Sequence, residues 1–245
     1  MNIIGIIPAR YASTRFPGKP LAEIRGKSMI RRVVEQARKV TAFSRIVVAT
    51  DDERIAEHVR TFGEVVMTRP DHPSGTDRCL EALTMCGESF DYVVNIQGDE
   101  PFIQPEQITK LIALLDGQTE LATLARKISE PEALENPNVV KVVMKGGGEA
   151  LYFSRSPIPY YRGKPKEEWP ASHAYYHHIG LYAYRADVLH RIASLAPSSL
   201  EQAESLEQLR WLENGLRIRV AVTDLLSLGV DTPEDLERAN REIGG

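Results

Sequence analysis

The sequence predicts an α/β fold: an open, mostly parallel sheet covered by helices on both faces, with one inserted β element. Three features carry this expectation. Short β-branched runs alternate with amphipathic helical patterns, the signature of repeated βαβ units. Runs such as IIGII at 3–7 and IVVA at 46–49 are continuously apolar, as strands buried on both faces must be. No repeat, linker or low-complexity stretch divides the 245 residues, so residues 1–245 are expected to form a single domain. A chain of this length can bury about 70% of its accessible surface, enough for one large core.

The first strand, at 3–7, leads into a loop rich in Arg, Lys, Pro and Gly, and a helix follows at 29–40 (MIRRVVEQARKV). After the strand at 46–49, Thr50 is expected to open a helix, because TDDE has the spacing of a capping box, and Gly63 to stop it before EVVM at 64–67. The loop RPDHPSGT precedes a helix carrying Cys79 and Cys86, with Thr76 as its expected cap. Seven residues apart on a helix, these cysteines stand about 10 Å apart along its axis, too far for a local disulfide.

A strand at 92–96 is followed by QGDEP and a helix over 105–115, whose Ile108, Leu111, Ile112 and Leu115 mark one apolar face. The sheet continues through 121–126. There the pattern changes, since VVKVVMKGGGEALYFS sets two strand-like runs around a glycine turn and reads as a hairpin. Residues 155–176 are rich in Pro, Tyr and Lys without periodicity and read as a long loop, a lid or dimer element. The strand HHIGLYAYR at 177–185, helices over 186–195 and 200–213, the strand LRIRVAV and the helix TPEDLERANREI complete the path.

Lys and Arg number 30 against 34 Asp and Glu, and a net charge of −4 offers no general attraction to nucleic acid or to an anionic membrane. No apolar run approaches the ~18 residues of a membrane span, and MNIIGIIPAR has no basic leader before its apolar stretch. A reduced, cytoplasmic protein is expected.

Ligands of open α/β sheets bind beyond the carboxyl ends of the strands, so the post-strand loops hold the candidates. PARYASTRFPGKPL carries Arg10, Arg15 and Lys19, and Arg25, Lys27, Arg31 and Arg32 follow, seven cations against the single acid Glu23 in the first 32 residues. Arginine forks beside a lysine point charge suit phosphate oxygens, and Gly18 admits close backbone approach. A solvated basic loop is the plainer alternative. There is no GxGxxG after the first strand, which argues against a dinucleotide dehydrogenase, and Gly26, Lys27 and Ser28 imitate a Walker A ending without its first glycine, since Leu21 stands there.

In NIQGDEP, Asp99 and Glu100 stand just past a strand, where a carboxylate and substrate phosphates could share Mg²⁺. Asp231 in VDTPEDL could supply a second carboxylate. Capping by Thr232, Pro233 and Asp235 explains the rest of that motif but leaves Asp231 over, whereas Asp51 and Asp52 read as first-turn helix acids. Ser74 and Gly75 offer backbone groups able to read a base edge, or form an ordinary helix-entry loop. Alternation puts His178, Gly180, Tyr182 and Tyr184 on one strand face, with simple packing as the rival reading. Glu207 falls four residues from Ala203 and Trp211 and seven from Leu200, on an apolar stripe where an acid demands a partner.

With these residues together, the chain resembles the 3-deoxy-manno-octulosonate cytidylyltransferases, or CMP-KDO synthetases, from residue 3 to about 240. The likeness rests on IPARYASTRFPGKPL, ATDDERI, HPSGTDR, NIQGDEP, NPNVVKVV, ALYFSRSPIP, HHIGLYAYR, LEQLR and GVDTPEDLE in the family's order, with Ser28 standing where Pro is common. The resemblance implies a Rossmann-like nucleotidyltransferase fold, a homodimer, CTP and 3-deoxy-D-manno-octulosonate (KDO) as substrates, Mg²⁺ as cofactor, and a place in lipopolysaccharide biosynthesis. It implies catalytic roles for Arg10, Lys19 and Asp99, with Arg15 near the triphosphate. Cytosine would be recognised by Ala9, Ser74 and Gly75, and metal held by Asp99 with Asp231. Gln97, Arg155, His178, Tyr182, Glu207 and Gln208 match positions lining the sugar-acid pocket, and the region 139–176 would contribute to that pocket and to the dimer interface. Two rivals make different demands: a glycosyltransferase would use the GDE run on a nucleotide sugar without releasing pyrophosphate, and a non-catalytic nucleotide binder would need neither aspartate.

Overall fold

The computed structural model describes residues 1–12, 16–225, 229–230 and 232–242. Arg15 and Asp231, both expected at the site, lie outside these residues. The chain divides into two compact units, Met1–Thr109 with Leu226–Gly245, and Lys110–Leu225.

In the first unit, β1 (Ile3–Ala9) pairs in parallel with strands on both sides, and Ile4, Ile6 and Ile7 are wholly buried, as its unbroken apolar run requires. A short hairpin follows, β2 (Glu23–Ile24) and β3 (Lys27–Ser28), whose turn residues Arg25 and Gly26 have φ of 49° and 72°, the geometry of a type I′ turn. Helix α1 (Met29–Ala37) starts on Ser28, whose Oγ accepts from the Arg31 N–H at 3.3 Å and lies 2.7 Å from His58 Nε2. It is therefore an N-cap, a task that a proline at 28 could not perform through its side chain.

Strand β4 (Arg45–Thr50) runs one residue further than its apolar core, with Thr50 in register with Ala9 on one side and Met67 on the other. Thr50 thus ends a strand rather than opening a helix. Helix α2 (Glu53–Arg60) is capped instead by Asp52, whose carboxylate accepts from the Arg54 N–H at 3.0 Å. β5 (Glu64–Met67) follows. Helix α3 (Gly75–Met85) is capped by Ser74, not Thr76: Ser74 has extended dihedrals and its Oγ accepts from the Asp77 N–H, while Thr76 already lies in the first turn. β6 (Tyr92–Asn95) completes a parallel sheet in the order β6-β1-β4-β5, and α4 (Pro105–Ile112) spans the division between the units. A β-carbon at Gly98, in the loop after β6, would sit 2.7 Å from the Pro8 carbonyl oxygen.

In the second unit, β7 (Leu121–Ile128) is followed by α5 (Pro131–Glu135) and the antiparallel hairpin β8 (Lys141–Met144) and β9 (Ala150–Ser154). The stretch read as loop contains a short helix, α6 (Trp169–Ser172), because Trp169 is buried in a cluster with Ile128, Leu134 and Tyr175. Strand β10 (Tyr175–Arg185) pairs antiparallel with β7 and carries a bulge between Ile179 and Tyr182. After α7 (Ala186–Ala193), the helix expected over 200–213 is two helices, α8 (Ser199–Glu204) and α9 (Glu207–Glu213). Ser205 between them takes the left-handed conformation (φ 50°), which no continuous helix can hold. β11 (Ile218–Val222) pairs in parallel with β7.

The chain closes on α10 (Pro233–Glu242) in the first unit. Thr232 and Asp235 cap it reciprocally: the Thr232 N–H donates to the Asp235 carboxylate at 3.1 Å, and the Asp235 N–H to Thr232 Oγ1 at 3.2 Å. Val230 and Ala239 pack with Ile24 and Met29 in a buried cluster.

Since the obstacle at residue 98 is backbone, Gly98→Ala forces the loop away from β1. Urea unfolding should show a loss of about 1–3 kcal/mol, and an unchanged midpoint would mean that the loop yields without cost.

Candidate active site

In the first unit the chemistry gathers just past the ends of β1 and β6. Beyond β1 the basic loop folds back on itself, with the Gly18 N–H donating to the Tyr11 carbonyl at 2.9 Å. Gly18 has φ 71°, and a β-carbon there would lie 3.1 Å from the Tyr11 ring, so glycine suits the position twice over. The Arg54 guanidinium stands 3.3 Å from the centre of the same ring. A 3₁₀ turn at Lys19–Leu21 then presents Lys19, whose Nζ donates to Asp99 Oδ2 at 2.7 Å. Lys19 is 14% exposed and Asp99 38%, so the pair is half open to water and its carboxylate remains accessible.

A cavity of about 240 Å³ is lined by Ala9, Arg10, Lys19, Ser74, Gly75 and Asp99 among others. Gln97 also lines it. Val230, next to Asp231 in sequence, donates its N–H to the Asp99 carbonyl at 3.0 Å. Among the described residues no three His, Cys, Asp or Glu side chains form a metal cage.

Two residues left without a role by sequence reasoning also line this cavity, His72 and Arg78. Arg78 is 4% exposed and donates to Thr68 Oγ1 at 2.6 Å, with Asp51 Oδ1 at 3.0 Å. Asp51 is therefore no first-turn helix acid: it compensates a buried guanidinium, and Asp52 alone caps α2. His72, with 5% of its side chain exposed, pairs with Glu81, which also accepts from the Arg69 N–H. The signal for Arg78 was its place in HPSGTDR, a motif whose loop half had been given a task while its arginine had not.

In the second unit, His178 is 9% exposed and meets Phe153 edge-on, with ring centroids 4.9 Å apart. Tyr182 stands 5.3 Å from His178, stacks on Tyr184 at 5.9 Å and meets Trp211 edge-on at 5.1 Å. No well-directed hydrogen bond reaches the buried Tyr182 Oη or Trp211 Nε1 among the described residues.

Arg155 donates through Nε to the Glu204 carbonyl at 2.7 Å, through Nη1 to the Pro137 carbonyl at 3.0 Å and through Nη2 to the Ser205 carbonyl at 3.3 Å. Its own carbonyl accepts from the wholly buried Lys141 Nζ at 2.5 Å. Gln208 is 6% exposed. Glu207 opens α9 and has Arg210 Nη2 at 3.7 Å, which supplies the partner an acid there needs. Ala203 and Leu200 belong to the separate helix α8, so the continuous apolar stripe expected across 200–211 does not exist.

The cytidylyltransferase family profile matches residues 4–218. The 3-deoxy-manno-octulosonate cytidylyltransferase of Cytophaga hutchinsonii is 56% identical over 97% of this chain and 96% of that protein. The chain belongs to the 3-deoxy-manno-octulosonate cytidylyltransferase family. The protein of that name from Parabacteroides distasonis is 57% identical, over 98% of this chain and 97% of its own length. Among solved structures, CMP:2-keto-3-deoxy-manno-octonic acid synthetase complexed with CTP superposes with a TM-score of 0.92 at 43% identity, covering 99% of this chain and 98% of that one. Against relatives so near in sequence, the glycosyltransferase and non-catalytic readings have no further support.

In this cytidylyltransferase the expected nucleotide residues Ala9, Arg10, Lys19, Ser74 and Gly75 share one cavity with Asp99. The expected sugar residues are distributed, with Gln97 in the first unit and Arg155, His178, Tyr182, Glu207 and Gln208 in the second. Burial, with a contribution from His177, lowers the His178 pKa to about 3, and burial with Arg126 and Lys141 nearby lowers His177 to about 4. Burial pushes the Tyr182 phenol well above its usual value, Tyr184 and Glu207 adding to the effect and the Thr123 hydroxyl opposing it. The rings of this cluster are therefore neutral donors and acceptors at neutral pH.

Both histidines have folded pKa values below 6.5, so the unfolded chain takes up protons first as pH falls. Their contribution to stability is complete above pH 6.5 and is lost from there toward pH 4, each at up to about 1.4 kcal/mol per pH unit. In urea unfolding at pH 7, 6 and 5, His177→Gln should lessen the decline relative to the parent protein. Equal slopes would show that His177 ionises alike in both states.

Proposed function

We propose that the chain transfers CMP from CTP to the anomeric 2-hydroxyl of KDO, giving CMP-KDO and pyrophosphate for lipopolysaccharide biosynthesis. The observation that carries this reading is the single cavity lined by the cationic loop after β1, the backbone turn before α3 and the carboxylate after β6. The sugar hydroxyl attacks the α-phosphorus in line, its proton is lost to solvent or base, and the bond to the bridging oxygen breaks to release pyrophosphate. No covalent enzyme intermediate is needed.

CTP brings about four negative charges and the sugar acid one more, and each close cation offsets up to ~4 kcal/mol of their repulsion at an intermediate dielectric. Arg10 and Lys19 supply that charge, with Arg15 assigned beside them by the resemblance. Lys19 is held ready by Asp99 and turns to phosphate oxygens when the nucleotide arrives. The backbone at Ala9, Ser74 and Gly75 reads the cytosine edge.

Asp99 fits a role toward Mg²⁺, because its carboxylate is partly exposed and this ion needs only one or two carboxylates beside phosphate and water. When bound, Mg²⁺ neutralises phosphate charge and polarises the phosphorus. Asp231 belongs to the same proposal. His178, Tyr182 and Gln208 orient the sugar acid through neutral hydrogen bonds, Arg155 meets its carboxylate, and Glu207 takes a hydroxyl.

A homodimer in the cytoplasm completes the reading. Its supports are Leu151 and Tyr160, 53% and 75% exposed in the region assigned to the interface, and two cysteines that remain thiols. No helix among the described residues is long and apolar enough to cross a membrane.

The decisive assay follows pyrophosphate release with Mg²⁺, each of the four nucleoside triphosphates, and KDO beside sialic acid. CTP with KDO should be turned over far faster than any other pair, and preference for another base or for sialic acid overturns the assignment. Lys19→Met should lower kcat by about 100-fold or more with an unchanged melting temperature. Full turnover in that variant would remove Lys19 from the mechanism.

A further inference from the structure

Thr123 lies on β7 beneath the bulge of β10 and is wholly buried. Its Oγ1 is 3.0 Å from the Ile179 carbonyl oxygen, 2.9 Å from the Leu181 carbonyl oxygen and 3.1 Å from His178 Nε2. These three atoms, with the Tyr182 hydroxyl beside them able to donate to a remaining lone pair, surround one hydroxyl with one proton to give. The carbonyls can only accept. If His178 Nε2 also accepted, the proton would point at the ring, leaving the lone pairs of Oγ1 against two carbonyl oxygens at 2.9 to 3.0 Å with no hydrogen between them. The arrangement balances only when Thr123 donates to the carbonyls of the bulge and Nε2–H donates to Thr123. The ring then carries its proton on Nε2, and Nδ1 is left as its acceptor.

We propose that Thr123 is a positioning residue: it pins His178 in the Nε2–H tautomer, so that Nδ1 accepts a hydrogen bond from a hydroxyl of the sugar acid. This rests on the reading of His178 as part of the sugar-acid pocket. A lone-pair acceptor in a buried, neutral ring selects a hydroxyl and turns away a carboxylate, which has no proton to offer. The bulge makes the position workable. It contains Gly180, where a β-carbon would have nothing within 4 Å, so the backbone there leaves room for a ligand. Sequence reasoning passed over Thr123, because a threonine in a strand is among the commonest of residues.

The test compares Thr123→Val, which keeps the shape and removes the hydroxyl, with Thr123→Ser, which keeps the hydroxyl. In protein labelled with ¹⁵N-histidine, the His178 ring signals are assigned by their loss in His178→Asn. The parent protein and Thr123→Ser should show the Nε2–H pattern, and Thr123→Val a shift toward Nδ1–H. The KM for KDO should rise about tenfold in Thr123→Val, as expected for one lost hydrogen bond, while the KM for CTP stays within twofold and Thr123→Ser restores the KDO value. An Nδ1–H pattern in the parent protein overturns the proposal, and this reading stands even if the valine variant does not fold. An unchanged tautomer in folded Thr123→Val overturns it as well. The pocket reading fails separately: if His178→Asn leaves the KM for KDO unchanged while the tautomer follows Thr123, His178 does not touch the sugar and Thr123 serves the strand alone.

Discussion

The Pro8 carbonyl and residue 98 approach so closely that only a side chain of one hydrogen fits between the end of β1 and the loop after β6. That contact sets the cationic and anionic loops side by side, and the cavity they line is arranged around it. Parallel strands ending at a common edge bring their loops to one place as a matter of topology. The glycine converts that proximity into hydrogen-bonding distance between Lys19 and Asp99. A larger residue would preserve the sheet and separate the charges that the chemistry joins.

The site also contains ion pairs of two kinds. Lys19 and Asp99 are half open to water on the Asp99 side, so their attraction is partly screened. Arg78 and Asp51 are nearly buried, and removing either would strand its partner in a poor solvent for charge. The second pair holds the start of α3 against the ends of β4 and β5 so that the first can be labile. Such a division of labour suits a reaction in which charge compensation must change hands during each turnover while the walls stay fixed.

Much of this was legible in the chain. The apolar runs located the parallel strands, and the basic loop, HPSGTDR and NIQGDEP marked the residues that now line one cavity. What could not be read depended on local competition or on partners distant in sequence. TDDE allowed either Thr50 or Asp52 to cap a helix, and strand pairing on both flanks of Thr50 decided for Asp52. One helical pattern over 200–213 concealed the left-handed Ser205 that separates α8 from α9. Thr123 was invisible for another reason: it matters through His178, a whole strand away, and composition carries no trace of such a partner.

The break at Ser205 has a bearing on how firmly Arg155 is held. A helix that stops abruptly leaves carbonyls unanswered, and the guanidinium of Arg155 answers those of Glu204 and Ser205 together with Pro137. Three of its five N–H groups are thereby committed, and the side chain behaves as a bracket bolted to the protein rather than a swinging arm. A ligand that met the two N–H groups left over would not have to freeze a long flexible chain, an ordering that otherwise costs up to about 2 kcal/mol. The same rigidity would make the residue a gauge of shape toward any acid placed against it.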